Sequence, residues 1–349
     1  MSTDPQSEST PRRSVLAALN AGLHGAFAAD ESVILLGEDV LDPYGGAFKV
    51  SRGLSAAYPE RVWTTPISEA GIVGIASGLA LRGMRPVVEI MFGDFITLAA
   101  DQLINHAAKF RWMYNDQVRV PLVVRTPMGG RRGYGPTHSQ TLEKLFLGVP
   151  GLRVLAPAAL GDPGELLYRA ITETEDPLLF VENKLLYLAP VLEAASLGEF
   201  AIRHFTQGNS PAAPAYALTI QGAPDPTLTI AAYGYMAELA RQALLRLAYE
   251  DELFAELVIL TQLAPFDLRP IIDSAARTGR LLTVEEGTLS LGWGSELLAR
   301  GSEALGGQLK GAQRLAAAET PVPASGPLEA AALPGVEEIM QAAHLLMGR

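Results

Sequence analysis

Glu69 is a carboxylate at the head of TPISEAGIVGIASGLALRG, the run from Thr65 to Gly83. Behind it, Ala70, Gly71, Gly74, Ala76, Ser77, Gly78 and Ala80 predict a helix whose first turns carry almost no side-chain bulk, so another backbone or a flat ligand can approach closely. Glycine inside a helix costs about 1 kcal/mol relative to alanine, so this many ask for a packing or functional reason. A carboxylate in that setting is poorly solvated, and such a group can hold or pass a proton. It can equally be a helix start in which Ser68 or Glu69 complements the N-terminal dipole, and the stretch by itself leaves both readings open.

His138 is the second candidate. It stands in GGRRGYGPTHSQ, after a strand-like run and a loop with four glycines, where α/β folds present ligand-contacting groups beyond the carboxyl ends of strands. The other histidines, His24, His106, His204 and His344, fall in helical patterns or in the connection between domains and show no metal-ligand spacing. There is no Walker phosphate loop. The glycine clusters Gly129, Gly130, Gly133, Gly135 and Gly292, Gly294 do not satisfy a strand, G-x-G-x-x-G and a helix, which argues against a kinase or a nicotinamide dehydrogenase. The absence of cysteine removes disulfides, iron–sulfur clusters, thiol nucleophiles and zinc fingers together.

The elements that must position these residues follow from the apolar pattern. With 349 residues, 48% of them hydrophobic, the chain can build two domains with proper cores. Its net charge of −11 argues against a nucleic-acid surface and favours basic protein partners. The opening MSTDPQSESTPRR lacks the apolar core of a signal peptide, and Arg82, Glu89 and Asp94 interrupt the longest apolar stretches, so no membrane span and a cytoplasmic location are expected. Buried parallel strands are predicted at Val33 to Gly37, Pro86 to Met91, Pro121 to Arg125, Leu152 to Pro157 and Pro177 to Glu182. Amphipathic helices are predicted at Asp101 to Met113, with Leu103, Ile104, Ala107, Phe110 and Met113 on one side, and at Pro163 to Glu173. That alternation gives an α/β fold of two parallel or mixed-sheet domains. The Pro, Ala and Gly content from Val191 to Pro226 reads as an inter-domain connection. A second series follows, with strands at Leu228 to Tyr233, Leu257 to Thr261 and Leu281 to Glu285 and helices at Met236 to Tyr249 and Leu268 to Thr278. Ala316 to Ala332 reads as extended chain before a last helix, Val336 to Met347.

The chain resembles the beta subunits of thiamine-diphosphate-dependent 2-oxo acid dehydrogenases, the first component of the pyruvate, branched-chain or acetoin dehydrogenase complexes. The matching stretches are LLGEDV at 35 to 40, GGAFKVSRGL at 45 to 54, the run from 65 to 95, DQLINHAAKF at 101 to 110, THSQ at 137 to 140, PGLRVLAP at 150 to 157 and DPLLFVENKLLY at 176 to 187. They continue with TQLAPFDLRPI at 261 to 271, TGRLLTVEEG at 278 to 287 and ETPVPASGPLE at 319 to 329, so nearly the whole chain is covered. The resemblance implies a transketolase-like pyrimidine-binding domain at 1–190, a linker at 191–226, of which the stretch from Leu197 to Pro226 is longer and richer in Pro and Ala than is usual in the family, and a transketolase C-terminal-like domain at 227–349.

It also implies roles. The residue matching Glu69 bonds the far ring nitrogen of the cofactor's pyrimidine and drives the tautomerisation that lets the 4′-amino group take the thiazolium C2 proton. Phe95 matches an aromatic packed on the pyrimidine face, Met91 a side chain near the same ring, and Glu38 an acid in a polar tunnel linking paired sites. His138 matches a histidine that serves substrate binding or acyl transfer to a lipoyl group. Backbone carbonyls at Leu122, Ala170 and Ile171 match a monovalent-cation (K+) site, although the acidic turn after them, TETEDP, is one residue longer than the commoner pattern.

Thiamine enzymes hold the diphosphate and its Mg2+ with a GDG motif and downstream asparagines, and the nearest approach here is Gly93-Asp94-Phe95. The implied partner is therefore a separate alpha subunit carrying the diphosphate half and the Mg2+, in a heterotetramer of two alpha and two beta chains, with the chain alone inactive. The implied reaction is decarboxylation of a 2-oxo acid with acyl transfer to a lipoyl acyltransferase. The alternatives are a stand-alone carboligase or a two-subunit biosynthetic carboligase or decarboxylase that passes its carbanion to an aldehyde, and a non-catalytic scaffold, which the presence of Glu69, Phe95 and His138 disfavours. Because the pocket is shared with the alpha subunit, the identity of the 2-oxo acid stays open.

Overall fold

The computed structural model describes residues 13–193, 196–207 and 213–349. In the N-terminal half, aliphatic and β-branched runs form strands β1 (Val33–Gly37), β2 (Val62–Thr64), β3 (Arg85–Glu89), β4 (Val123–Met128), β5 (Arg153–Leu155) and β6 (Leu178–Asn183). They pair in parallel in the order β5-β6-β4-β3-β1-β2. All five residues of β1 are buried, as a parallel strand covered on both faces requires. Side chains alternate between two cores: Leu35, Val87, Val123 and Phe180 enter one, and Leu36, Val88, Val124 and Leu179 the other.

Helices α1 (Val15–Ala29), α2 (Leu54–Ala57), α3 (Glu69–Leu81), α4 (Ala108–Met113) and α5 (Pro163–Glu173) fill the connections. Ser14 caps α1 by accepting from the Ala17 N–H, and Asp162 caps α5 by accepting from Gly164 and Glu165. The two helices cross in backbone contact, because a Cβ on Gly22 would lie 2.1 Å from the Gly164 carbonyl oxygen.

The C-terminal half contributes β7 (Phe200–Gln207), β8 (Ala213–Ile220), β9 (Leu228–Ala232), β10 (Ala255–Leu260), β11 (Gln262–Ala264), β12 (Arg280–Thr288) and β13 (Gly311–Ala317). Its helices are α6 (Gly234–Asp251), α7 (Arg269–Thr278), α8 (Trp293–Leu305), α9 (Gly326–Ala332) and α10 (Val336–Met347). The second sheet runs β13-β12-β9-β10-β8-β7, whereas β11 leaves it to pair antiparallel with β5 in the first sheet. Among the described residues, no helix is long and apolar enough to cross a membrane.

Three expectations are corrected. Residues 191–226 are not a linker throughout, since β7 and β8 pair from Phe200↔Ile220 to Gln207↔Ala213 and β8 then pairs with β10. The signal was hidden because Ala213, Ala215 and Ala217 are small, although β8 is buried without a break from Ala215 to Leu218, as a strand paired on both sides and covered on both faces can be. The stretch expected to be extended from Ala316 to Ala332 ends in α9, where Pro327 in the first turn and Leu-Glu-Ala-Ala-Ala behind it favour helix. The predicted helix from Asp101 begins with a π-helical segment, Gln102–Ala107, before α4. Leu103 and Ala107 are buried as expected, but Met113 is exposed.

Candidate active site

Strands β4, β3 and β1 are neighbours, with β6 on the other side of β4, so the chain segments leaving their carboxyl ends meet at one edge of the sheet. Glu38 follows β1, Met91 to Phe95 follow β3, Gly129 to His138 follow β4, and Lys184 follows β6. From β2 the chain turns through Thr65, whose N–H donates to the Gly37 carbonyl at 3.0 Å, and enters α3 with Glu69 as its first residue.

Glu69 is 6% exposed and Glu38 8%. Burial raises the Glu38 carboxyl above the ordinary glutamate value, and the charge of Glu69 adds to the rise, with the Ser68 backbone N–H opposing it. Glu38 Oε1 and Thr65 Oγ1 are buried with no protein partner. Two buried acids and these open acceptor and donor atoms suit a polar heterocycle that exchanges a proton. The small-residue helix α3 behind them packs on the 3-10 segment Gly93–Ala99 that carries Phe95.

Phe95 and His138 are in ring contact. The half-buried His138 ring stands edge-on to Phe95, centroids 5.2 Å apart at 78°, and to Phe92, 4.7 Å apart at 80°. Its Nδ1 is 2.9 Å from Thr137 Oγ1. Phe92 also meets Phe95, Tyr134 and Phe48, and is the hub of the aromatic wall. Met91 is half-buried beside it in sequence.

Reasoning from sequence passed over Phe92 and Lys184. Lys184 is fully buried, donates through Nζ to the His138 carbonyl, and lies 5.2 Å and 5.5 Å from the ring centroids of Phe92 and Tyr134. Burial pushes its ammonium down to about 8, against the pull of Asp94, Glu286 and Glu329. Asp94 accepts from the Gln140 N–H at 3.3 Å, and its burial raises the carboxyl. A lysine directly after a buried strand run, as in FVENK, was the available signal. A second buried cation, Arg125 in β4, binds Glu182 at 2.8 Å and also Glu89, and so ties β3, β4 and β6 together beneath the site.

Leu122, Ala170 and Ile171 lie elsewhere, toward the opposite end of the sheet, before β4 and late in α5. The Ile171 carbonyl accepts from Arg85 Nη1 at 3.0 Å, the same nitrogen reaches the Thr174 carbonyl at 2.8 Å, and the Leu122 carbonyl accepts from the Leu178 N–H at 2.8 Å. A fixed guanidinium thus bonds the Ile171 carbonyl, and the Leu122 carbonyl takes part in backbone pairing. Among the described residues no three His, Asp or Glu side chains gather closely enough to hold a metal ion.

Comparisons agree with this architecture. Residues 13–189 match the family described as transketolase, pyrimidine binding domain, and residues 217–339 match transketolase, C-terminal domain. The pyruvate dehydrogenase E1 component subunit beta-2, mitochondrial, of Oryza sativa subsp. japonica is 40% identical over 329 residues, 93% of this chain and 84% of that one. The acetoin:2,6-dichlorophenolindophenol oxidoreductase subunit beta of Cupriavidus necator is 35% identical over 96% of this chain and 97% of its own. The 3-methyl-2-oxobutanoate dehydrogenase subunit beta of Mycobacterium tuberculosis is 34% identical over 96% and 92%. A solved split gene transketolase, an inactive beta4 tetramer, shares the fold with a TM-score of 0.69 at 19% identity, covering 95% of this chain and 97% of that one.

Proposed function

The chain belongs to the transketolase-like family of 2-oxo acid dehydrogenase E1 beta subunits, and we propose that it supplies the pyrimidine-binding half of a two-subunit, thiamine-diphosphate-dependent enzyme that oxidatively decarboxylates a 2-oxo acid. The observation that carries this reading is the meeting of the buried Glu38 and Glu69 acids with the Phe95 and His138 wall at one edge of the first sheet.

When bound, thiamine diphosphate supplies the carbon nucleophile and electron sink that decarboxylation of a 2-oxo acid requires. Glu69 would hold the pyrimidine through a carboxyl kept from water, where a proton could be held or passed. Glu38, whose carboxyl holds a proton more readily because it is buried and because Glu69 is near, would be a second proton-holding group at the polar edge of the site. Phe95 and Met91 exclude water from the ring face. His138, held by its backbone at Lys184 and by its ring against Phe92 and Phe95, binds the substrate or moves a proton during acyl transfer to a lipoyl group.

The diphosphate and its Mg2+ are assigned to an alpha subunit in an assembly of two alpha and two beta chains, because this chain has neither the GDG motif nor the asparagines that follow it. A lipoyl acyltransferase is the proposed acceptor and the cytoplasm the proposed location. The test is reconstitution. Calorimetry with Mg2+ should show weak or no thiamine diphosphate binding to this chain alone and tight binding with the alpha subunit. Carbon dioxide release from pyruvate or 3-methyl-2-oxobutanoate should likewise need both chains. Tight binding to the isolated chain would overturn the half-site reading.

A further inference from the structure

The loop between β4 and His138 has no strand or helix of its own, and its backbone is held by carboxylates from the other half of the chain. Gly130 N–H donates to Glu286 Oε1 at 2.7 Å, Arg131 N–H to Glu329 Oε1 at 2.7 Å, and Gly133 N–H to Glu329 Oε2 at 3.1 Å. Glu286 lies in β12 and Glu329 in α9, each 4% exposed. The Arg131 side chain adds a bond to the Pro334 carbonyl at 2.6 Å.

The loop needs this support. Gly129, Arg131, Gly133 and Gly135 all take positive φ, and for Arg131, at 67°, that conformation is one an L side chain rarely adopts. Backbone N–H groups turned inward by such geometry would be orphaned on burial without acceptors. A Cβ on Gly130 would lie 2.5 Å from Leu333 Cδ1, so the loop sits hard against the segment after α9. At its far end, Lys184 holds the His138 carbonyl.

We propose that Glu329, assisted by Glu286, is a positioning residue for His138, through which the C-terminal half sets the geometry of a site built on the N-terminal half. The proposal rests on the reading of His138 as an active-site residue. Both Glu329 oxygens accept N–H bonds, so glutamine, with one oxygen and one NH2, must oppose a donor to one of the two amides.

The experiment uses the complex with its alpha subunit. In the unaltered protein, the Arg131 and Gly133 amides should exchange slowly with deuterium for loop residues, a measurement that needs no variant to fold. Glu329→Gln should speed that exchange and lower lipoyl acylation about tenfold, while leaving cofactor C2 exchange unchanged. Combined with His138→Ala, it should add no further loss, which a merely structural defect would not reproduce. Free exchange of both amides in the unaltered protein, or an equal loss in the His138→Ala background, would overturn the positioning role while leaving the reading of His138 intact. Full activity of His138→Ala would overturn both.

Discussion

Glu38 and Glu69 are two nearly buried carboxyls, and the proton affinity of Glu38 is raised first by its burial and then by the charge of Glu69. They come from different elements, the end of β1 and the start of α3, brought together because β2 pairs with β1 and delivers the chain into the helix.

The raised Glu38 carboxyl has a consequence for stability. A carboxyl whose folded-state affinity for the proton exceeds its unfolded one contributes stability that is present below the unfolded value, about 4.3 for glutamate, and is lost as pH rises through the raised folded value. Glu38→Gln removes that loss. Its thermal midpoint should therefore gain on that of the unaltered chain as pH rises above the ordinary glutamate range. A difference that stays constant with pH would contradict the raised proton affinity of Glu38.

Lys184 predicts the opposite slope. Its folded value of about 8 lies below the unfolded lysine value of about 10.4, so between the two the unfolded chain binds more protons and stability rises with pH. Lys184→Met should flatten that rise in thermal unfolding across this range, and should weaken lipoyl acylation by freeing the His138 carbonyl. An unchanged slope would place the lysine in water.

How far the fold and site were legible in the sequence differs by element. Val33 to Gly37, Pro163 to Glu173 and Val336 to Met347 were read to the residue, because long apolar periodicity and the Asp162-Pro163 cap signal announce themselves locally. The hairpin of β7 and β8 was not, since Ala213, Ala215 and Ala217 resemble loop composition and owe their strand to pairing with β10. Glu69 and His138 stand out in the sequence by their small-residue and glycine-rich settings, and Phe95 only by the family resemblance. Lys184, Glu286 and Glu329 were missed as site residues because their meaning lies in contacts across 46 to 198 positions, which no local pattern carries.

Arg85 makes a prediction about ions. Its guanidinium bonds the Ile171 and Thr174 carbonyls and pairs with Asp30 at 3.4 Å. Replacing potassium with a bulky organic cation should leave the thermal midpoint unchanged, whereas Arg85→Ala should cost about 2 kcal/mol through its lost charged hydrogen bonds. A midpoint that rises with potassium would show that the carbonyls still serve a cation.

The role of Glu69 is the centre of the account, and hydrogen–deuterium exchange at the thiamine C2 position in the reconstituted complex tests it most directly. Glu69→Gln keeps the size of the side chain but cannot hold the proton, so exchange should fall by about two or more orders of magnitude with folding and subunit assembly intact. An exchange rate equal to that of the unaltered complex would contradict the assignment of Glu69.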